Sequence, residues 1–391
     1  MVLKSSFSYS SVPKIRFGVG SINESVDDLL NILGEKIMVI TDQGLTDIGL
    51  HRRLLEKMEE GGKSAILFDE VESDPSLATV LAAISVAKKN SITGIIGFGG
   101  GSPMDVAKLT ALICRSKENL NDVWGIGNAK GPRLPLCLIP TTAGTGSEVT
   151  PISIITIEGE EKRGVVSPII LPDLAVLDPT LTVGLPGPIT AATGIDAMVH
   201  AIEAFSSKSS NNNYISQLMA KEALMLLNNS ISLAVNNGKN IKARTNMLMG
   251  SMMAGMAFAN SPVAAVHALA YPLGGKYHIP HGLSNALVLS EVLKFNSSND
   301  TAAESYAKLA QIVCPNVNEV RSNRSEAIKF SKYFETLSKT LGLPLKLREL
   351  NIPERALKKL AKDAMKQTRL LANNPRPLTE ADALKIYQSI W

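Results

Sequence analysis

Short apolar runs alternate with helical patterns between residues 36 and 140, and no other feature of the sequence limits its possible folds as much. The strand-like runs are 37–41, 65–68, 92–98 and 136–139. The helix-like segments between them are 50–60, 77–88 and 104–114. Strands that alternate with helices are typical of β-α-β units, which build parallel sheets. The sequence therefore predicts an N-terminal α/β domain with a Rossmann-like parallel sheet.

The character of the sequence changes after the motif LPGP at 185–188. The stretch 152–178 before it is rich in β-branched residues and prolines and contains no clear helix, so it continues the α/β half. The remainder reads as helical segments rich in Ala, Leu, Met and Lys. Because 391 residues exceed what one hydrophobic core usually serves, two domains are expected. We predict an α/β domain over 1–183 and an all-α domain over 184–391.

Composition excludes several classes of protein. Hydrophobic residues make up 45% and charged residues 19%, and the net charge of +4 comes without a basic stretch interleaved with aromatics, so no nucleic-acid partner is expected. Cys114, Cys137 and Cys314 lie far apart without a C-x-x-C pair, which favours reduced thiols. Neither a signal-peptide pattern in residues 1–17 nor a membrane-length apolar run occurs. We therefore expect a cytoplasmic protein without a membrane anchor.

A glycine-rich segment at 97–105 follows an apolar strand and opens a helix. Ser102 is expected to cap this helix, with Pro103 at its first position and Asp105 as the reciprocal acceptor of a capping box. The glycines Gly99, Gly100 and Gly101 would let the backbone approach a ligand, and free N–H groups at a helix start favour an anion such as pyrophosphate. The loop is not G-x-G-x-x-G, so a tight turn without a ligand is the alternative.

Two further features could serve the same cofactor. The loop 140–148 leaves another apolar strand and carries hydroxyl groups, among them Thr141, Thr142 and Thr145, that could wrap a cofactor; the alternative is a polar surface turn. Asp42 ends the first strand and could accept hydrogen bonds from ribose hydroxyls while repelling a 2′-phosphate, which favours NAD over NADP. Alternatively, Asp42 only caps the turn into the next helix.

Four of the five histidines fall between residues 200 and 281. Asp196 and His200 are four residues apart, so on a helix they lie on one face about 5–6 Å apart. His267 lies in the apolar run 263–270, and His281 is expected in a short loop between helical segments. One carboxylate and three imidazoles can bind Zn²⁺ or Fe²⁺. The alternative is that these histidines are simply hydrogen-bonded in the core or at the surface.

Taken together, these motifs resemble the iron-containing (group III) alcohol dehydrogenase family over essentially the whole chain. The segments that carry the resemblance are GGGSPMDVAK at 99–108, PTTAGTGSEVT at 140–150, PDLAVLDP at 172–179, AATGIDAMVHAIEAF at 191–205, HALAYPLGGKYHIPHG at 267–282 and NNPRPLTEADALKIY at 373–387. The resemblance implies a nucleotide-binding α/β domain followed by an all-helical catalytic domain, with the active site in the cleft between them and at least a homodimer in solution.

The resemblance also assigns residues. It implies that the metal ligands are Asp196, His200, His267 and His281. It implies that the cofactor contacts are Asp42, Gly99, Gly100, Gly101, Ser102, Asp105, Thr141, Thr142 and Thr145, with Lys162 and Leu181 near the nicotinamide. Residues implied for the substrate pocket are Phe258, Ile152 and Leu370. The metal would be Fe²⁺, with Zn²⁺ as the alternative.

The activity implied is hydride transfer between NAD(H) and a primary alcohol or aldehyde, with the metal polarising the substrate oxygen. One departure concerns proton transfer: many members of the family have a histidine where this chain has Tyr271, so Tyr271 or His278 would have to replace it beside His267. Tyrosine at this position also resembles the hydroxyacid–oxoacid transhydrogenases. Alternatives are therefore such a transhydrogenase, a 4-hydroxybutyrate-type dehydrogenase or, less favoured, a dehydroquinate-synthase-like lyase.

Overall fold

A parallel sheet organises residues 10–184 of the structure, a computed structural model that describes residues 6–157, 161–315 and 322–391. The strands are β1 (Ile15–Phe17), β2 (Lys36–Ile40), β3 (Ser64–Phe68), β4 (Gly94–Gly99), β5 (Gly125–Ile126), β6 (Leu136–Pro140), β7 (Ile152–Ile157), β8 (Glu161–Val166) and β9 (Leu174–Leu177). Six of them form the sheet in the order β1-β9-β6-β4-β2-β3, with every neighbouring pair parallel. The remaining strands form a small second sheet, in which β8 pairs parallel with β5 and antiparallel with β7.

The order of the central strands indicates where sheets of this kind bind ligands, at the carboxyl ends of the strands. Going along the chain, β3 pairs on one side of β2 and β4 pairs on its other side. The direction of winding therefore reverses between β2 and β4, and ligands of open α/β sheets bind outside the carboxyl ends of the strands at such a point. The loop after β4 and the loop after β6 begin side by side at these carboxyl ends, because Gly99 is paired with Pro140.

Helices cover both faces of this sheet. They are α1 (Ser21–Glu24), α2 (Val26–Ile32), α3 (Gln43–Asp47), α4 (Arg52–Glu60), α5 (Leu77–Lys89) and α6 (Gly101–Ser116). The helices α5 and α6 pack into one apolar core with Met38 and Leu138, and α2 and α4 pack into a second core with Val39 and Ile139. Consecutive strand residues thus point into opposite cores, which explains why the central strands are almost continuously apolar. The predicted α/β class and its strand–helix alternation are confirmed.

A second compact unit comprises Leu185–Trp391 and the N-terminal segment through Tyr9. In the part that the structure describes, it is helical, as predicted. Its helices are α7 (Gly187–Ser206), α8 (Tyr214–Asn236), α9 (Ile241–Asn260), α10 (Ala265–Tyr277), α11 (His281–Asn296), α12 (Asp300–Val313), α13 (Asn323–Thr340), α14 (Leu357–Ala364), α15 (Thr368–Leu371) and α16 (Glu380–Ser389).

Glycines allow the long helices of this unit to approach one another. A Cβ atom at Gly194 of α7 would lie 2.7 Å from Met247 and 2.8 Å from Ile231, and one at Gly250 of α9 would lie 2.7 Å from Leu227. The helix α7 therefore packs closely against α8 and α9, and it also contacts α11. Its residues are buried almost throughout, so polar side chains on it lie in the interior of the unit.

No single described helix is both long and apolar enough to cross a membrane. One pair of consecutive helices, α9 and α10, meets the length and composition criteria only when both are taken together, and it is bent by 106° between them.

Candidate metal centre and cofactor loops

Three helices of the second unit bring four potential metal ligands together. Asp196 and His200 lie on α7, His267 on α10 and His281 on α11. One ligand atom from each side chain lies within 4.8 Å of the others. A divalent ion with four ligands at about 2.1 Å has ligand atoms roughly 3.4 Å apart, so only small movements would close these atoms around an ion. The four side chains, which sequence spacing alone allowed to be either metal ligands or hydrogen-bonded residues, thus form one cluster.

The expectation that His281 lies in a loop is wrong, because His281 is the first residue of α11 and Pro280 precedes the helix. Pro280 has an extended backbone (ψ 138°), and it has no N–H group that would need a partner within a helix. It therefore suits the position directly before the first helical residue. The next residue explains how His281 reaches Asp196: a Cβ atom at Gly282 would lie 2.4 Å from the carbonyl oxygen of Ala192. Glycine at 282 therefore lets the start of α11 lie directly against α7.

The cluster is buried on one side and accessible on the other. Asp196, His200 and His267 are 1–4% exposed, whereas the side chain of His281 is 30% exposed. Burial by itself would raise the pKa of Asp196, but the neighbouring His200, His281 and His267 outweigh it and hold this pKa below its ordinary value. An ionised carboxylate therefore faces three imidazoles, a donor set that suits a divalent cation.

Two further polar residues, Glu203 and Asn285, contact the clustered side chains. Glu203 accepts a hydrogen bond of 2.6 Å from Nδ1 of His267, and the amide of Asn285 donates one of 2.6 Å to Asp196. Asn285 follows His281 by four residues on α11, a spacing that could have indicated it. Glu203 stands within the quoted motif 191–205, but nothing local marks its contact with a residue 64 positions away.

These surroundings fit a bound cation. Because the carboxylate of Glu203 holds a proton on Nδ1 of His267, Nε2 of that ring presents a lone pair, and this atom lies 3.0 Å from Nε2 of His200. In addition, the buried Oδ1 atom of Asn285 has no hydrogen-bond partner among the described residues. Two facing ring nitrogens and an unsatisfied amide oxygen are the features expected where an ion or its bound ligand completes the coordination.

Aromatic side chains line the cluster. Phe258 of α9 stacks on His200, with ring centroids 4.3 Å apart and an interplanar angle of 19°. The ring of Tyr271 lies 6.0 Å from that of His281. His278 is exposed and ends α10 in the left-handed conformation (φ 52°). Leu370 is buried in α15, which packs against α10. Of these residues, Phe258 and Tyr271 adjoin ligand rings.

In the α/β unit, the two predicted cofactor loops touch. The backbone N–H of Thr141 donates to the carbonyl of Gly99 over 2.9 Å. A Cβ atom at Gly101 would lie 2.9 Å from the side chain of Thr145, and one at Gly100 would lie 3.7 Å from Thr142. Gly99 has φ +150°, a conformation that side chains rarely adopt. Gly99 is therefore needed for the turn and Gly101 for the close approach of the second loop, whereas a side chain at Gly100 would meet only an ordinary contact.

The predicted capping of the following helix is wrong. The helix α6 begins at Gly101, so Gly100 occupies the cap position and Ser102 already lies inside the first turn. Asp105 does not complete a capping box, because its carboxylate accepts hydrogen bonds from Ser147 Oγ (2.7 Å) and from the backbone N–H of Ile154 (2.8 Å). Among the described residues, no side chain caps the start of α6. An uncapped helix start of this kind can bind an anion through its first N–H groups.

The remaining predicted cofactor residues lie in the same α/β unit. Asp42 caps α3 through a 3.1 Å bond to the N–H of Leu45, and burial raises the pKa of its carboxyl above the ordinary value. It follows β2, beside the glycine loop, so capping and contact with a ribose are compatible. Lys162 forms an ion pair with Asp74. Leu181 lies in the short turn Pro179–Thr182 and packs against the core around β4 and β6.

A buried lysine joins the loop after β6 to α6. Lys108 is fully buried, and its ammonium donates to Ser147 Oγ (2.7 Å), to Thr150 Oγ1 (3.3 Å) and to the carbonyl of Ile152 (2.6 Å). Burial lowers the pKa of Lys108 to about 8. Ile152 therefore contributes its backbone to this network. Nearby, burial raises the pKa of Glu148 to about 7.

Comparison with known proteins covers nearly the whole chain. Residues 13–179 match the family model described as iron-containing alcohol dehydrogenase, and residues 190–391 match the C-terminal model of the Fe-containing alcohol dehydrogenase family. The chain is 38% identical to long-chain-alcohol dehydrogenase 1 of Geobacillus thermodenitrificans, over 97% of this chain and 95% of that protein.

Solved structures of proteins with related names are also similar to this chain. A crystal structure of 1,3-propanediol oxidoreductase is similar with a TM-score of 0.94 at 32% identity, covering 99% of this chain and 100% of the other. A crystal structure of sulfoacetaldehyde reductase from Bifidobacterium kashiwanohense in complex with NAD⁺ has a TM-score of 0.87 at 30% identity, with 99% of each chain covered.

Proposed function

The chain belongs to the iron-containing alcohol dehydrogenase family, and from this membership we propose that Asp196, His200, His267 and His281 hold the catalytic metal of an NAD-linked alcohol dehydrogenase. The single observation that carries the proposal is the convergence of one carboxylate and three imidazoles from α7, α10 and α11. The enzyme is an oxidoreductase acting on CH–OH groups, and the proposed substrates are primary alcohols and the corresponding aldehydes.

The ligand set supports Fe²⁺ as the metal, with Zn²⁺ as the alternative, because imidazole and carboxylate suit both ions. When bound, such an ion acts as a Lewis acid on the substrate oxygen and lowers the pKa of an alcohol. Asp196 is the one anionic ligand, so it would cancel only part of the charge of a divalent ion. The site then keeps a net positive charge, which favours an anionic substrate oxygen over a neutral one.

The side chains around the ligands would orient the substrate. His281 is the partly exposed ligand, so its side of the cluster is where substrate could enter. Phe258 covers the face of His200 and offers an apolar wall there. We assign proton transfer to Tyr271 because its ring adjoins His281, whereas no ring contact joins the exposed His278 to a ligand among the described residues.

For the cofactor, we propose that the uncapped start of α6 and the glycines Gly99–Gly101 bind the pyrophosphate of NAD. Ser102 would contribute its hydroxyl and backbone N–H at the same helix start. The hydroxyl groups of Thr141, Thr142 and Thr145 would contact the cofactor from the second loop. Asp42 would accept hydrogen bonds from a ribose, which disfavours NADP. Lys162 and Leu181 belong to this proposal with less direct support, since Lys162 is already paired with Asp74.

The natural substrate is proposed as a class, primary alcohols and the corresponding aldehydes. Three relatives are named for a long-chain alcohol, 1,3-propanediol and sulfoacetaldehyde, which differ in size and charge. One added methylene changes discrimination by only about 1–3 kcal/mol, so the proposal covers primary alcohols of different chain lengths. Of the residues expected to line the pocket, Phe258 has the most direct support, ahead of Ile152 and Leu370. A cytoplasmic location and a homodimer or larger homo-oligomer complete the proposal.

A spectrophotometric assay of the metal-loaded protein tests the function. With NAD and a series of primary alcohols, net formation of NADH is expected, and it should fall by several orders of magnitude in Asp196→Asn. If Tyr271 carries the proton, Tyr271→Phe should have a lower kcat in the same assay. The metal content of this variant should equal that of wild type. Release of phosphate from a phosphorylated cyclic substrate with no net NADH would instead support a lyase and contradict the proposal.

Tyr271 is also the reason to test a second candidate, the hydroxyacid–oxoacid transhydrogenase. That enzyme would exchange hydride between a hydroxy acid and an oxo acid through a cofactor that stays bound. It would show no net NADH with any alcohol, but it would form the second hydroxy acid when both substrates are present. Net NADH formation by an excess of free NAD would exclude this candidate.

A further inference from the structure

We infer that Glu203 is a positioning residue for the metal centre, which fixes the tautomer of His267 and the start of the helix that carries it. The inference deepens the proposed function and rests on it for the identity of the metal ligands. Glu203 is 4% exposed and lies on α7, three residues after His200, yet it contacts neither Asp196 nor the other ligand imidazoles in any described hydrogen bond. Its described polar contacts go to the segment 264–267.

Both carboxylate oxygens of Glu203 are used in that segment. Oε2 accepts from Nδ1 of His267 (2.6 Å) and from the backbone N–H of Ala264 (3.0 Å), and Oε1 accepts from the backbone N–H of Val266 (2.7 Å). The helix α10 begins at Ala265 and has no cap from the side chain before it, since that residue is Ala264. A glutamate from α7 thus supplies the cap that the local sequence lacks.

These contacts determine which nitrogen of His267 can bind a metal. An ionised carboxylate has only acceptor atoms, so the short contact requires the ring proton on Nδ1. Nε2 then carries the lone pair and faces His200. A carboxylate on the distal nitrogen also makes an imidazole more basic and fixes its plane, and loss of such a partner typically weakens metal binding about 10–100-fold.

The start of α10 does not depend on Glu203 alone. Ser261 Oγ donates to the carbonyl of Ala204 (2.7 Å), Ser207 Oγ to that of Pro262 (2.7 Å), and Asn373 to that of Val263 (3.0 Å). Because these bonds hold residues 261–263, directly before the segment that Glu203 contacts, a glutamine at 203 should leave the fold intact. What it removes is the negative charge and one of the two acceptor atoms.

The experiment measures Zn²⁺ affinity of the apo protein by competition with a chromophoric chelator, in wild type, Glu203→Gln and a control, Glu326→Gln. Glu326 is a similarly buried glutamate (5% exposed) on α13, a helix that carries no ligand. We expect Kd for Zn²⁺ to rise about 10–100-fold in Glu203→Gln and to stay within about twofold in the control. Equal affinity of wild type and Glu203→Gln would overturn the inference.

A second measurement needs no variant and covers the case in which Glu203→Gln fails to fold. Long-range ¹H–¹⁵N NMR of the histidine side chains in the apo protein should show His267 with its proton on Nδ1; a proton on Nε2 would overturn the inference. Failure of the proposed function would look different, since the wild type itself would then bind no Zn²⁺ at this cluster while the tautomer of His267 stayed on Nδ1.

Discussion

At the scale of single residues, two of the four proposed metal ligands have a polar partner that holds them in one chemical form. Asp196 accepts a hydrogen bond from the amide of Asn285, and Nδ1 of His267 donates one to the carboxylate of Glu203, so one acidic and one basic ligand each have a fixed partner. Ligand residues without such partners rotate, and the metal then binds more weakly. The composition of the centre and its rigidity are therefore encoded at different positions of the sequence.

The clustering of the four proposed ligands could be predicted from the sequence, whereas the contacts of their polar partners could not. The i, i+4 pair Asp196 and His200 follows from helical geometry, and the two later histidines gained their assignment from the resemblance of the surrounding motifs to a family. Glu203 and Asn285 act through contacts 64 and 89 residues away in sequence. Such contacts are created by helix packing. The spacing of Asn285 from His281 indicates only that it lies near the ligands, and no local pattern marks Glu203.

Glu148 offers a pH-dependent test of the α/β unit. It is 1% exposed, one of its oxygens has no hydrogen-bond partner among the described residues, and burial raises its pKa from 4.5 to about 7. Between these values the folded state holds a proton that the unfolded state has lost. Unfolding therefore releases a proton, and the free energy of unfolding falls as pH rises through this window, by about 3 kcal/mol in total.

The variant Glu148→Gln should lack this fall. We expect it to gain stability relative to wild type between pH 5 and pH 8, by roughly 2–3 kcal/mol, whatever constant offset the amide introduces. Urea denaturation of the apo protein at both pH values measures the change, and Glu59→Gln serves as an exposed control in the same unit. A difference between Glu148→Gln and wild type that is the same at both pH values would show that Glu148 is ionised throughout.

At the scale of elements, the parallel sheet and its helices were predictable because each strand is buried on both faces and reads as an apolar run. The start of α6 was not. Ser102 has a good capping side chain, but the helix starts at Gly101, two residues earlier than a Ser102 cap would place it, and Gly99 before it adopts φ +150°. The carboxylate of Asp105 accepts hydrogen bonds from Ser147, in the loop after β6, and from Ile154, in β7, so it does not cap α6.

The contact of α11 with α7 depends on Gly282. A Cβ atom there would meet the carbonyl oxygen of Ala192 at 2.4 Å, and since this is backbone, one of the two helices would have to move. We expect Gly282→Ala to cost about 1–3 kcal/mol in the free energy of unfolding. Because His281 immediately precedes this contact, the variant should also bind Zn²⁺ at least tenfold more weakly.

Calorimetry for stability and chelator competition for Zn²⁺ check both effects. Gly184→Ala is the matched control, because a Cβ atom at Gly184 meets nothing within 4 Å. If Gly282→Ala melted at the same temperature as Gly184→Ala and bound Zn²⁺ as tightly, the close approach of α11 to α7 would not be needed for the metal centre.

At the scale of the whole molecule, the chain divides between two chemical tasks. Residues 10–184 carry the loops proposed for NAD, and the helical unit carries all four proposed metal ligands. The N-terminal segment through Tyr9 groups with the helical unit, and Ser8 exchanges two hydrogen bonds with the side chain of Asn211 (both 2.9 Å). A sequence-based boundary could not anticipate this, because those partners are 203 residues apart.

The central claim is that one divalent ion binds where α7, α10 and α11 meet. The most direct test is elemental analysis and metal titration of anaerobically purified protein, for wild type and His281→Ala, with His278→Ala as the neighbouring control for metal binding. We expect one Fe²⁺ or Zn²⁺ per chain in wild type and His278→Ala, and an affinity lowered at least a hundredfold in His281→Ala. Full metal content with unchanged affinity in His281→Ala would contradict it.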